Sequence, residues 1–316
     1  LKKWIAFWLI GVIGGSSNLY IHIANEQTSA FQLVFTRTVL AAILLNVLLA
    51  MRGEHVPLNW RQLQPMIMLG ILNHVVPFAL ITWGQQSVPS GIAAVLTATA
   101  ALFTLVFAHF AFDDERITRR RLIGLMTGFF GVVMLASRSW TGSSIQTDNL
   151  VGMGAVVLAA AFYAMGGTYG RGVVRGNMNP LVIAAGALTS AAILSGILML
   201  AAPVFGGEAM TPFNEIHGTA LLSLLLLGIV NTGLAHLMYY WVLRELGAAR
   251  TSMASYFAPL VGLSLGVLFL NERIDVRMIL GALMILGGIA IVNLRFRRGP
   301  VIVERIALPE PVSPVN

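Results

Sequence analysis

The sequence predicts an all-α membrane protein of ten transmembrane helices, arranged as two inverted repeats of five helices each. Three observations carry that prediction: the composition, the spacing of the apolar segments and an internal repeat. Of 316 residues, 57% are hydrophobic and 10% charged, against roughly 25% charged in soluble domains. So few ions cannot cover a water-facing surface. The apolar residues together with 32 glycines suffice for about ten spans of roughly 20 residues.

Apolar segments separated by charge or by Pro, Gly and Asn breaks fall at about 4–24, 30–51, 62–83, 89–111, 120–138, 150–170, 180–202, 218–242, 248–270 and 277–295. The first follows "LKKW" in the manner of a secretory signal, but it runs on to about Ala24 without a small-residue cleavage site, which predicts a retained span. Short joints such as "QSVPSG" and "RELGAAR" predict hairpins that cross the bilayer. All six tryptophans, Trp4, Trp8, Trp60, Trp83, Trp140 and Trp241, fall at or near predicted helix ends, where indole rings prefer the membrane interface.

The repeat is read by pairing "FDDERITRRRLIGLMTGFFGVVMLA" with "FLNERIDVRMILGALMILGGIAIVN". This matches Phe112 with Phe269, Glu115-Arg116-Ile117 with Glu272-Arg273-Ile274, Gly124 with Gly281 and Gly131 with Gly288 at one constant offset. Residues 1–138 form the first repeat, 139–149 an external linker, 150–295 the second repeat and 296–316 a flexible tail rich in proline and valine. An odd number of crossings per repeat forces the second copy into the membrane upside down. Charge agrees. Sixteen of the 20 lysines and arginines fall in loops on the N-terminal side, whereas the opposite loops hold Arg138, Arg273 and Arg277, and Arg37 lies inside the second span. Both termini are therefore expected in the cytoplasm.

Absences narrow the function. The chain has no cysteine, which removes thiolate metal sites, iron–sulfur clusters and disulfides. Its only lysines are Lys2 and Lys3, so a phosphate loop of the G-x-x-x-x-G-K type and a buried Schiff-base lysine are excluded. No ATP, cofactor or metal is expected. The net charge of +7 does not point to nucleic acid, because the arginines are scattered between apolar runs rather than gathered on one face. Catalysis lacks its usual parts: there is no G-x-S-G, no H-E-x-x-H and no carboxylate pair at depth. The chain is therefore not expected to be an enzyme.

The stretch "YFAPLVGLSLGVLFLNERIDVRMILGALMILGGIAIV" resembles the closing part of the EamA-type repeat of the drug/metabolite transporter superfamily, with a proline at the helix centre, a glutamate-led loop and a G-x-x-x-x-x-G final helix. The first half resembles it more faintly, since Glu115 matches the loop glutamate while Leu102 stands where the repeat usually has proline. The resemblance spans about Trp4 to Asn293, and "ASYFAP" is similar to the branch that exports amino acids across the bacterial inner membrane. It implies a multi-pass inner-membrane transporter. It also implies a central cavity walled by the first, third, fourth, sixth, eighth and ninth helices.

Polar residues inside spans should face such a cavity. In the first helix Gly11, Gly15, Asn18 and His22 form one stripe, and in the third Asn73, Pro77 and Gly84 share a face with His74 beside it. Thr232, His236 and Tyr239 align in the eighth with Asn231 adjacent; Ser252, Ser255, Tyr256 and Pro259 lie together in the ninth; Tyr163 and Tyr169 flank Gly166 and Gly167 in the sixth. The expected substrate-contacting residues are Asn18, Asn73, His74, Tyr163, Asn231, His236, Tyr239, Ser252, Ser255 and Tyr256. Pro77, Gly166, Gly167 and Pro259 are the expected hinge positions. Glycines four apart, such as Gly124 and Gly128, read first as helix-packing positions. Arg37 has two readings, an outward snorkel or a carboxylate anchor.

None of the 13 acidic residues lies at a predicted midplane. A driven antiporter would then depend on histidine, and gradient-driven export is the simpler expectation. The predicted function is alternating-access export of small neutral metabolites, foremost amino acids with aromatic or apolar side chains. The alternatives are a carrier of sugars, nucleotide sugars or drugs on the same fold, and below these an intramembrane enzyme or a membrane scaffold. A small-molecule substrate and the lipid bilayer are the expected partners. The oligomeric state is left open, and a monomer is compatible with such a pathway.

Overall fold

The computed structural model describes residues 2–111, 117–137, 140–141, 144–145, 147–174, 178–246 and 257–293. Their architecture is ten helical rods. Helix α1 is Lys2–Asn25 and α2 Ala30–Met51. Helix α3 runs Trp60–Gly84 through a π-helical turn at Ile71–Val75. Helix α4 spans Ser90–Ala111, interrupted between Thr97 and Ala100, and α5 is Arg119–Ala136. In the second half α6 is Thr147–Val174, α7 Pro180–Ala201 and α8 residues 218–246 with a π-helical stretch at Leu226–Leu234; α9 is Ala258–Leu270 and α10 Val276–Asn293.

Side chains start these helices where the sequence offers them. Asn59, Thr118 and Asn179 accept bonds from the backbone N–H of Arg61, Arg121 and Leu181, and Asp275 does the same for Met278. Each such cap satisfies a donor that the helix itself leaves unpaired. Seven rods are long and apolar enough to cross a membrane by length and composition. Helix α5 falls outside that set because its first turn is Arg119-Arg120-Arg121, and α9 and α10 are shorter but equally apolar. Ile43, Val47, Ile197 and Leu283 are exposed on the outer faces, as lipid contact requires. Trp4, Trp8, Trp60 and Trp83 are exposed near helix ends.

Inversion of the halves is visible in how equivalent helices meet. Gly124 of α5 packs on Gly288 of α10, and Gly131 on Gly281; a Cβ at Gly124 or Gly131 would lie 2.7 Å from the facing carbonyl oxygen. The two helices are copies of one another and run antiparallel, so the axis relating them lies across the helices, in the membrane plane. Equivalent helices α2 and α7 also run antiparallel, with Thr38 facing Ser195 and Asn46 facing Thr189. The remaining neighbours exchange in the same way. Helix α1 packs on α9 and α8, and its counterpart α6 packs on α4 and α3.

Two details depart from the sequence expectation. Helix α6 begins at Thr147 rather than at 150. Before it, Trp140–Thr141 pairs antiparallel with Ser144–Ile145, the only strand pairing among the described residues. Pro259 stands in the first turn of the described part of α9, and the residues before it, 247–256, lie outside the described residues. Ser252, Ser255 and Tyr256 lie outside with them, as do the 296–316 tail and Glu115.

Candidate functional site

Two π-helical turns build the centre of the molecule. The segment Leu69-Gly70-Ile71-Leu72-Asn73 in α3 is repeated as Leu227-Gly228-Ile229-Val230-Asn231 in α8, and both enter π geometry. A π turn inserts one extra residue, which rotates every later side chain and interrupts the regular bonding pattern. Both turns rest on the same kind of floor. A Cβ at Gly70 would meet the Ala187 carbonyl oxygen at 2.7 Å and the Ser190 Cβ; one at Gly228 would meet the Leu40 Cβ at 2.6 Å and the Arg37 carbonyl oxygen. Aligning Ala41-Ala42-Ile43-Leu44 with Ala191-Ala192-Ile193-Leu194 makes Arg37 equivalent to Ala187 and Leu40 to Ser190. The two floors are thus one arrangement built twice.

Between them lies a cavity of about 510 Å³. Asn18 of α1, Asn73 and His74 of α3, Tyr163 of α6, and Asn231, His236 and Tyr239 of α8 all line it, seven of the residues expected from sequence. Of the expected hinges, Gly166 seats the Asn73 side chain where a Cβ would stand, whereas Gly167 faces open space. Pro77 is buried just after the π turn of α3, and Pro259 does not line the cavity.

Sequence reasoning undervalued Arg37, Ser17, Phe78, Thr97 and Thr232, which also line the cavity. Arg37 is 6% exposed. Its Nε donates to Thr232 Oγ1 at 2.7 Å, and its guanidinium carbon lies 3.8 Å from the centroid of the Phe78 ring. Thr232 is itself fixed, because its hydroxyl donates to the Leu227 carbonyl five residues back at 2.8 Å, the span of a π turn. The available signal is that Arg37 is the only cation well inside a predicted span rather than at its end. The snorkel reading is contradicted by its burial.

The histidines of the two halves face each other, with the rings of His74 and His236 5.4 Å apart. His236 Nδ1 lies 2.6 Å from the Thr232 carbonyl oxygen. That pairing places the proton of a neutral ring on Nδ1 and leaves Nε2 as an acceptor. The Asn231 amide donates to the Ile13 carbonyl and to Ser16 Oγ of α1, tying α8 to α1.

The cavity is uneven along the membrane normal. Its lining reaches Ile10, Leu69, Ile183 and Tyr239 toward the N-terminal side. On the opposite side a cluster of Ile21, Ala24, Leu33, Ile81, Leu224 and Leu227 fills the space. Gln85, which donates to Asn18 at 2.6 Å, and Asn25, which donates to the Thr82 carbonyl, close the polar seams there. Farther out, Glu272 accepts from Ser90 N at 2.6 Å, Ser90 Oγ at 2.7 Å and Gly91 N at 3.0 Å, and so caps α4 from the other half. The described carboxylates lie in loops or at helix ends, none of them lining the cavity.

The profile of the EamA-like transporter family matches twice, at residues 2–137 and 150–294. The chain is 28% identical to the uncharacterized transporter YoaV of Bacillus subtilis (strain 168) over 83% of this chain and 86% of that protein. It is also 28% identical to the probable amino-acid metabolite efflux pump of Escherichia coli (strain K12), over 70% and 73%. A solved crystal structure superposes with a TM-score of 0.64 at 19% identity, covering 92% of this chain and 96% of the other. At that identity the likeness is one of fold.

Proposed function

Because the chain belongs to the EamA-like transporter family, we propose that it exports small neutral metabolites, foremost amino acids with aromatic or apolar side chains, rather than catalysing a reaction. The observation that carries this reading is the cavity between the two π turns. Its volume of about 510 Å³ falls in the range of roughly 300–1,000 Å³ that takes small organic ligands. It sets amide and hydroxyl groups beside aromatic faces, Phe78, Tyr163 and Tyr239. That mixture suits a ligand with one polar end and one apolar end. A relative named as a probable amino-acid metabolite efflux pump adds support.

Transport proceeds by alternating access. The two halves rock about the cavity, the cluster around Ile21, Ile81 and Leu224 parting as the N-terminal side closes. The excess of cations on the N-terminal side supports an inner-membrane orientation with both termini in the cytoplasm. The substrate then enters from the cytoplasm and leaves outward. With no carboxylate among the described cavity residues, flux follows the substrate gradient.

The test is flux into proteoliposomes of purified protein, with labelled neutral amino acids offered first and sugars and nucleotide sugars after. Saturable flux of neutral amino acids supports the reading, whereas saturable flux of only a sugar or phosphate ester replaces it. Accumulation against the substrate gradient under an imposed pH gradient would overturn gradient-driven export and turn attention to the His74 and His236 pair.

A further inference from the structure

We propose that Arg37 is the anchor for the substrate's carboxylate, which makes a single carboxylate a requirement for transport; the inference rests on the amino-acid reading above and specifies its chemistry.

A guanidinium buried in a span needs a counter-charge or a full set of hydrogen bonds, because an unpaired ion in a low-dielectric setting is costly. Arg37 has neither in full. Its partners among the described residues are Thr232, which takes Nε, and the face of Phe78. No described carboxylate pairs with it. The two Nη groups do not belong to the buried polar atoms that lack a partner, nor do they bond to a described residue. They are therefore reachable by a water-sized group, and Arg37 lines the cavity. With Nε taken and the plane held against Phe78, the Nη edge is left to receive a planar two-oxygen acceptor. A carboxylate fits that edge with two parallel bonds.

The pseudo-symmetry of the fold sets the number of charges. Ala187, the counterpart of Arg37, also lines the cavity, so the doubled framework holds one cation, not two. One guanidinium neutralises one carboxylate. A phosphate ester near neutral pH carries up to two negative charges and would leave the second without a partner. An amide or ester of an amino acid keeps its ammonium but offers no negative charge, and leaves the guanidinium unpaired. Rejection of such analogues follows from the cost of that unpaired group.

The experiment is competition against labelled leucine in proteoliposome counterflow, with leucine, leucinamide and the des-amino acid 4-methylpentanoate as competitors. Wild-type protein is expected to prefer leucine over leucinamide by about tenfold or more, with 4-methylpentanoate competing better than the amide. Arg37→Gln is expected to lower leucine affinity and shrink the acid-over-amide ratio to about twofold or less, and Arg37→Lys to keep part of the ratio. A purely structural role would lower flux of acid and amide alike and leave the ratio unchanged, which would overturn the proposal. Equal competition by leucine and leucinamide in the wild type would overturn it without any variant. If no neutral amino acid moves at all, the proposed function fails first, a result distinct from either of these.

Discussion

The two π-turn niches share a backbone and differ in side chains. Gly70 on α3 backs onto Ala187 and Ser190 of α7, and Gly228 on α8 backs onto Arg37 and Leu40 of α2. Beside these floors the first niche holds His74 and the neutral Ala187, while the second holds Thr232 and the cation Arg37, joined at 2.7 Å. Duplication supplied the frame twice, and chemistry was added to it unequally. The shared part, glycine against carbonyl, governs folding in both halves. The unshared part, one guanidinium and one threonine, is what can tell substrates apart.

That comparison can be broken at the shared part first, where the largest effect is expected. Gly70→Leu and Gly228→Leu both drive a side chain into a neighbouring helix, so folded yield from membranes should fall to near zero for each. Gly167→Ala, which meets nothing within 4 Å, should match the wild type in size-exclusion profile and Tm. If only one of the two leucine variants fails, the niches are not structurally equivalent.

Next comes the unshared part. Thr232→Val removes the acceptor of Arg37 Nε while keeping shape, and a bond to a charged group contributes about 1.5–3 kcal/mol. Leucine counterflow should drop about tenfold or more with membrane level unchanged. Ala187→Ser, a change at the corresponding place in the other niche, should alter it less than about twofold.

Between these lies the seal opposite the N-terminal side. Glu272→Gln weakens the charge-assisted cap on Ser90 and Gly91, which should cost about 1–2 kcal/mol and lower Tm by a few degrees. Because the cap joins the two halves on the side opposite the N-terminus, easier parting there should raise labelling of a cysteine placed at Leu80. Unchanged Tm and labelling would show that the cap carries no load.

The spans were legible in the sequence because hydropathy and charge breaks act over whole helices, as the match of 30–51 with Ala30–Met51 shows. The inverted repeat was legible at the Glu115 and Glu272 loops, where identical residues recur. The equivalence of Asn73 and Asn231 was also written there, in "LGILN" and "LGIVN". Aligning helix faces at 3.6 residues per turn does not bring it out, because a π turn shifts the register at just those positions. The union of Arg37 with Thr232 had no local signal, since 195 residues separate them. Depth along a helix says how far a side chain lies from the interface, not which neighbour meets it.

The central claim is that substrate passes through the cavity between the two niches. The most direct measurement is labelled-leucine counterflow with Ala235→Trp, which fills the cavity from α8 at a half-buried position. Saturable flux in the wild type, with flux below a tenth of it in a variant of unchanged Tm and membrane level, is the predicted result. Wild-type flux in the filled variant would contradict the account.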